Sequence, residues 1–264
     1  MIGTNKIRIV KYDHDLLSRI RDEKIIVVTD SINNLELQYK DSLHDKEVIA
    51  MVIKMPYLTI AQLELDPNWE TIPIVIYAYN VGSYDSILRN ISLFKRMNMR
   101  IYLSGDCEDV FTDLKFLSSL GIDCGLDLTS CNTIYDDKLL DFASYYYLSQ
   151  GKHASVEPFE FILKHINDDE NKNFSQVFFN DPLLFISDLE DNAQSVLNKK
   201  LDSYYSHFIN LDDCAKCAAF KICDYNMQHK LNNCSATMSD LFEMAELRSK
   251  LDIQYNTSKT VCQL

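Results

Sequence analysis

Short runs of apolar, often β-branched residues alternate with amphipathic segments along the N-terminal part of the chain. Such runs predict buried strands, and they are KIIVVTD (24–30), EVIAMVIKM (47–55), PIVIYAY (73–79), RIYLSGD (100–106) and IDCGLDLTS (122–130). The amphipathic segments predict helices, one beginning after Ser83 and the others covering 108–121, 135–151 and 157–168. Gly121 and Gly151 stand where a glycine commonly ends a helix.

Strand and helix alternate regularly from residue 73 to residue 151. Consecutive parallel strands joined by helices need right-handed crossovers, so this order predicts a parallel α/β sheet. The strands at 24–30 and 47–55 extend the sheet on its N-terminal side. A doubly wound sheet and a (β/α) barrel both fit the rhythm, and no GxGxxG or GxxxxGK[ST] loop marks a nucleotide site.

The pattern changes near residue 170. SQVFFNDPLLFISD (175–188) predicts two short strands around a turn at 180–182, and a cysteine-rich segment follows. MSDLFEMAELRSKL (238–251) predicts a last amphipathic helix with Ser239 as its N-cap. The sequence therefore predicts two domains, residues 1–170 and residues 171–264.

Composition restricts the possible partners and the compartment. The net charge of −13 repels phosphate backbones, which argues against nucleic acid as a partner. The sequence contains neither an apolar run of about 18 residues nor a signal-peptide pattern near residue 1, so we expect a cytoplasmic protein that does not enter a membrane. Disulfides do not persist in that reducing compartment, so eight cysteines indicate metal ligands or buried thiols.

Four of the cysteines are concentrated in 21 residues, at Cys214, Cys217, Cys223 and Cys234. Free thiols buried on a helix would be one explanation. A zinc site would take two ligands from the CxxC pair and two from the later cysteines, with His229 as a spare candidate. An iron–sulfur cluster would also take four thiolates, around a larger cube.

The spacing Cys214-x2-Cys217-x5-Cys223, followed by the lone Cys234 and an amphipathic helix, resembles the SPASM domain. This is the C-terminal auxiliary-cluster domain of radical-SAM peptide- and protein-modifying maturases, whose pattern is C-x2-C-x5-C-x3-C and then a final cysteine. The resemblance implies that these four cysteines bind one auxiliary 4Fe–4S cluster. Met227 occupies the x3 position, where the family has a ligand of a second cluster.

Other expected ligands are missing as well. Ser187 or a neighbour stands where the family's upstream hairpin ends in a cysteine, so the second auxiliary cluster has lost its ligands. The CxxxCxxC motif of the catalytic cluster is absent, because Cys107, Cys124 and Cys131 lie 17 and 7 residues apart. By resemblance, the chain is a degenerate, pseudo-radical-SAM protein that uses no S-adenosylmethionine.

The resemblance implies a parallel partial (β/α) barrel followed by a small SPASM-like iron–sulfur domain. It also implies an auxiliary, non-catalytic role in a peptide-modification (RiPP-type) system, with a precursor peptide or a radical-SAM enzyme subunit as partner. One alternative is a zinc-stabilised interaction module with the same thiolates. Another is an enzyme whose site lies at the carboxyl ends of the strands. The polar residues expected there are Asn80, Ser83, Ser104, Asp106, Asp127 and Thr129.

Overall fold

A computed structural model describes residues 7–11, 24–30, 47–58, 73–127, 134–149, 151, 153–168, 214, 216–219 and 231–261. Its strands are β1 (Ile7–Lys11), β2 (Lys24–Thr29), β3 (Glu47–Tyr57), β4 (Ile74–Asn80), β5 (Met99–Ser104), β6 (Cys124–Asp127) and β7 (Val156–Glu157). Its helices are α1 (Tyr84–Arg89), α2 (Ile91–Arg96), α3 (Val110–Ser119), α4 (Asp136–Leu148), α5 (Phe159–Asp168) and α6 (Cys234–Val261).

The seven strands form one sheet in the order β1-β2-β3-β4-β5-β6-β7, and every neighbouring pair is parallel. This confirms the predicted parallel α/β sheet. The sequential strand order, with the described crossover helices packed in one apolar core, is compatible with a partial (β/α) barrel. The prediction missed β1 and β7. The two-residue strand β7 was too short to be distinguished from the start of the helix predicted at 157–168.

Alternate residues of the strands separate the two faces of the sheet. Ile76 and Ile101 lie on the face that packs against the helices, where Leu114 and Phe142 are also fully buried. Leu241 of α6 belongs to the same apolar cluster. The C-terminal helix therefore shares the core of the sheet and packs on α4 and α5.

The helix ends follow the sequence signals in two places. Ser83 caps α1 as predicted, since its Oγ accepts a hydrogen bond from the Ser86 N–H at 3.4 Å. Gly121 takes a positive φ of 80° directly after α3, which confirms the predicted glycine stop. The helix predicted after Ser83 is interrupted at Asn90, whose side-chain amide donates to the Ser86 carbonyl at 2.8 Å. That side chain competes with the helical hydrogen bonds, which divides the segment into α1 and α2.

The start of the last helix was predicted wrongly. Helix α6 begins at Cys234, so Ser239 lies inside it and is not its N-cap. The cap comes instead from Asp136, a residue of α4. The predicted hairpin at 175–188 and the boundary near 170 lie outside the described residues. In the described part of the chain, no helix combines the length and apolarity needed to cross a membrane.

Candidate functional site

Three of the four motif cysteines are described, and they lie close together at the start of α6. The Cys217 N–H donates to the Cys214 carbonyl at 3.1 Å, which makes a tight turn between the two. Cys234 is the first residue of α6, and it packs with Cys217 against the apolar core. Cys223, Met227 and His229 lie outside the described residues.

The thiols influence one another electrostatically. Burial raises the pKa of Cys234 to about 12, and the neighbouring Cys217 and Cys214 add to the rise. Burial also raises the pKa of Cys217, against hydrogen bonds from the Ala219 N–H and from Ser235. The Cys217 and Cys234 thiols are therefore protonated at neutral pH, and any metal that binds them must displace protons.

A zinc ion and a 4Fe–4S cluster would arrange the same thiols differently. A single zinc ion needs its ligands to converge on one point, whereas each thiolate of a 4Fe–4S cube binds a separate iron corner. Among the residues that the structure describes, no three His, Cys, Asp or Glu side chains converge to hold one metal ion. The site as described therefore consists of neighbouring, half-buried thiols at one helix end.

Asp136 fixes the position of that helix end. Its carboxylate accepts hydrogen bonds from the Asn232 N–H at 3.0 Å, the Asn233 N–H at 2.8 Å and the Thr237 hydroxyl at 2.9 Å. These N–H groups immediately precede Cys234 and would otherwise lack helical partners. No local pattern in the sequence marks this role, because the partners of Asp136 lie about a hundred residues further along the chain.

A second contact holds α6 further along its length. The Arg248 guanidinium donates to the Tyr147 carbonyl at 3.1 Å and to the Ser149 carbonyl at 3.3 Å, both at the end of α4. Ser249 donates to the Asn167 side chain of α5 at 2.5 Å. Helix α6 is thus attached to α4 near both ends of that helix, and the cysteines are held at the edge where α4 begins.

Some of the predicted carboxyl-edge residues do come together. Ser104 and Asp127 are register partners at the ends of β5 and β6, and the Ser104 Oγ accepts from the Asp106 N–H at 3.4 Å. Ser83 has a helix cap as its role, and Asn80 has a buried Oδ1 with no hydrogen-bond partner among the described residues. Thr129 lies outside the described residues.

A cavity of about 410 Å³ opens at this edge, between the first turns of α3 and α4. Its lining includes the charged residues Asp106, Glu108 and Lys138. Apolar surface comes from Phe111, Ile134 and Tyr135. Ile134 also pairs with Leu231 in a parallel bridge, just before α6. The cavity therefore lies next to the segment that carries Cys234.

The sheet face opposite the helices carries a charged and aromatic row that the sequence reading missed. The row, in register across β3 to β7, consists of Lys54, Tyr77, Tyr102, Gly125 and Glu157. The Tyr77 and Tyr102 rings stack at 5.4 Å. A side chain at residue 125 would meet the Tyr102 ring, since a Cβ there would lie 2.8 Å from it. The row can be recognised only once the register of the paired strands is known.

Glu157 ends that row in a partly buried ion pair with Arg100. Its Oε1 accepts from Arg100 at 2.9 Å, and the guanidinium also donates to the Ser155 Oγ at 3.3 Å. Only 8% of the Glu157 side chain is exposed, and among the described residues its Oε2 has no hydrogen-bond partner. Burial raises the pKa of Glu157, and the positive charge of Arg100 only partly opposes this rise.

His153 lies between α4 and β7, beside Ser149. Its Nε2 is 2.5 Å from the Ser149 Oγ, and its Nδ1 is 3.3 Å from the Tyr145 hydroxyl. Burial and the positive charge of Arg248 lower the pKa of His153. A catalytic serine needs a histidine whose imidazolium form is stabilised, usually by a carboxylate. Here a phenol and a nearby cation replace the carboxylate, so the contacts serve to hold the loop after α4.

Comparison of the chain with protein-family models gives no match, and neither does comparison with curated proteins or with solved structures.

Proposed function

We propose that this chain is an auxiliary, non-catalytic iron–sulfur protein of a RiPP-type peptide-modification system. The observation that carries the proposal is the meeting of Cys214, Cys217 and Cys234 at the start of α6, beside the carboxyl edge of an all-parallel sheet. Ligands of one cluster have to be neighbours in the fold, and these three thiols are close enough to influence one another electrostatically. Cys107 and Cys124, for comparison, are buried in the apolar core, one in the turn before α3 and the other at the start of β6.

Cys214, Cys217, Cys223 and Cys234 would hold one 4Fe–4S cluster. A cluster with four protein thiolates supplies structural support or electron relay, since no iron is left open for a substrate. The partial burial of Cys217 and Cys234 suits such a group, because a dry surrounding protects it from solvent. The rigid attachment by Asp136 and Arg248 would keep the ligands of α6 in place during loading.

The finer architecture belongs to the same proposal. The sequential parallel sheet would be a partial (β/α) barrel, and the segment from residue 171 would be a SPASM-like domain that closes on it through α6. The protein would be cytoplasmic, and its partner would be a precursor peptide or a radical-SAM enzyme subunit. Without the CxxxCxxC motif, the chain would not bind S-adenosylmethionine for cleavage.

Electron paramagnetic resonance on the anaerobically purified full chain tests the auxiliary role. After reduction with dithionite we expect a cluster signal that S-adenosylmethionine leaves unchanged, and no formation of 5′-deoxyadenosine. Cys214→Ser should abolish or strongly alter that signal, while Cys107→Ser should keep it. Release of 5′-deoxyadenosine, or a shift of the signal on adding S-adenosylmethionine, would show that an open iron exists and would refute the auxiliary role.

A further inference from the structure

We propose that the cavity between α3 and α4 binds a lysine or arginine side chain of a peptide. This names the chemistry of the peptide partner and rests on the proposed function only for the source of that peptide. The cavity, its charges and one internal contact each support a cationic, partly aliphatic occupant.

The cavity has a suitable size and lining. A volume of about 410 Å³ lies in the lower part of the range of ligand sites, which is about 300–1,000 Å³. A lysine or arginine side chain with part of its backbone fits that space. Phe111, Ile134 and Tyr135 offer apolar surface to the methylene groups, as long cationic side chains require.

The charge around the cavity favours a cation. Asp106 and Glu108 are exposed in its lining, and Asp109 and Asp137 are exposed on the adjoining turns. Among the described residues of the lining, Lys138 is the one basic residue. With a net charge of −13 on the whole chain, a basic peptide is attracted at long range and an acidic peptide is repelled.

An internal contact shows how a cation can be held here. The Lys138 ammonium lies 5.3 Å from the centre of the Tyr135 ring and donates to the Glu108 carbonyl at 3.4 Å. An aromatic face and a carbonyl are the partners that an incoming ammonium or guanidinium would use. Lys138 is exposed, so it can move aside, and it then competes with the peptide for the same position.

Fluorescence anisotropy with two labelled peptides tests the proposal on the full chain. The probes are Gly-Lys-Gly-Lys-Gly and Gly-Glu-Gly-Glu-Gly, each carrying fluorescein. We expect the lysine peptide to bind and the glutamate peptide not to bind. Asp106→Asn with Glu108→Gln should weaken binding of the lysine peptide by about fivefold. The matched control, Glu243→Gln with Glu246→Gln on α6, removes the same charge elsewhere and should change it by less than about twofold.

Two single variants distinguish binding in the cavity from long-range attraction of the peptide to the negatively charged chain. Tyr135→Ala should weaken binding by about threefold, because it removes the aromatic face. Lys138→Gln should strengthen binding more than Lys95→Gln, although each removes one exposed positive charge. Equal losses in the cavity pair and the α6 pair would overturn the proposal, as would equal effects of the two lysine variants.

The same peptide titration on Cys214→Ser distinguishes failure here from failure of the iron–sulfur proposal. Unchanged affinity in that variant, with its metal content measured on the same sample, is the expected result. Loss of affinity in Cys214→Ser but not in the cavity variants would place the peptide at the cysteines and overturn the cavity assignment.

Discussion

Helix α4 and helix α6 pack in the same apolar core, but the N-terminal end of α6 is also fixed by polar contacts from α4. Phe142 of α4 is fully buried and contacts the rings of Phe111, Tyr146 and Phe159, with centroids 4.9–6.4 Å away. The start of α6 is held by the Asp136 carboxylate and lies beside thiols that are only partly buried.

The two helices differ in how far the sequence predicts the contacts that hold them. The apolar burial of the strands and of α4 follows from local sequence patterns. The cysteine end of α6 depends on a polar contact from a distant helix and, in our proposal, on a bound cluster. Loss of side-chain volume in the strands or in α4 should therefore lower the stability most. The start of α6 should respond to loss of the Asp136 charge and of the bound metal.

The largest effect is expected from Phe142→Ala. Removing a fully buried ring leaves a cavity, and such changes cost about 3–5 kcal/mol of the free energy of unfolding. Urea denaturation followed by circular dichroism measures the loss. Leu88→Ala, at a side chain that is 47% exposed, should change the free energy by less than about 0.5 kcal/mol. Similar losses of the free energy of unfolding in both variants would contradict the role of Phe142 in packing the core.

A smaller effect, confined at first to α6, is expected from Asp136→Ala. The variant removes a carboxylate that accepts three hydrogen bonds and should lower the free energy of unfolding by about 2 kcal/mol. Hydrogen exchange should show lost protection in the first turn of α6. Asp137→Ala removes the neighbouring exposed carboxylate and serves as the control. Equal exchange in the two variants would contradict the capping role.

The smallest effect concerns how the free energy of unfolding depends on pH through Glu157 of β7. Because the pKa of Glu157 is raised, the folded chain holds this proton more tightly than the unfolded chain does. Its contribution to stability is full below the ordinary glutamate pKa and is lost as the pH rises through the folded pKa. Glu157→Gln should therefore show a smaller fall in urea midpoint than the parent between pH 4 and pH 7. A steeper fall in the variant would mean that Arg100 dominates the carboxylate.

Particular residues show how much the sequence could predict. The runs around Ile76 and Ile101 predicted buried strands correctly, because strands of a parallel sheet leave short continuous apolar runs in the sequence. The role of Ser83 was also readable, since a cap and its partner are three residues apart. Asp136 was not predictable, because its partners are distant in sequence and no local pattern marks them. The proximity of Cys214 and Cys234 likewise arises only in the folded chain.

Metal analysis of the anaerobically purified chain tests the central claim most directly. Iron, sulfide and zinc are counted for the parent, for Cys→Ser variants at 214, 217, 223 and 234, and for Cys107→Ser as the control. We predict about four irons and four sulfides per chain in the parent and in the control, and a loss of iron in each of the four motif variants. Stoichiometric zinc, no metal, or iron that survives substitution of the motif cysteines would contradict the claim.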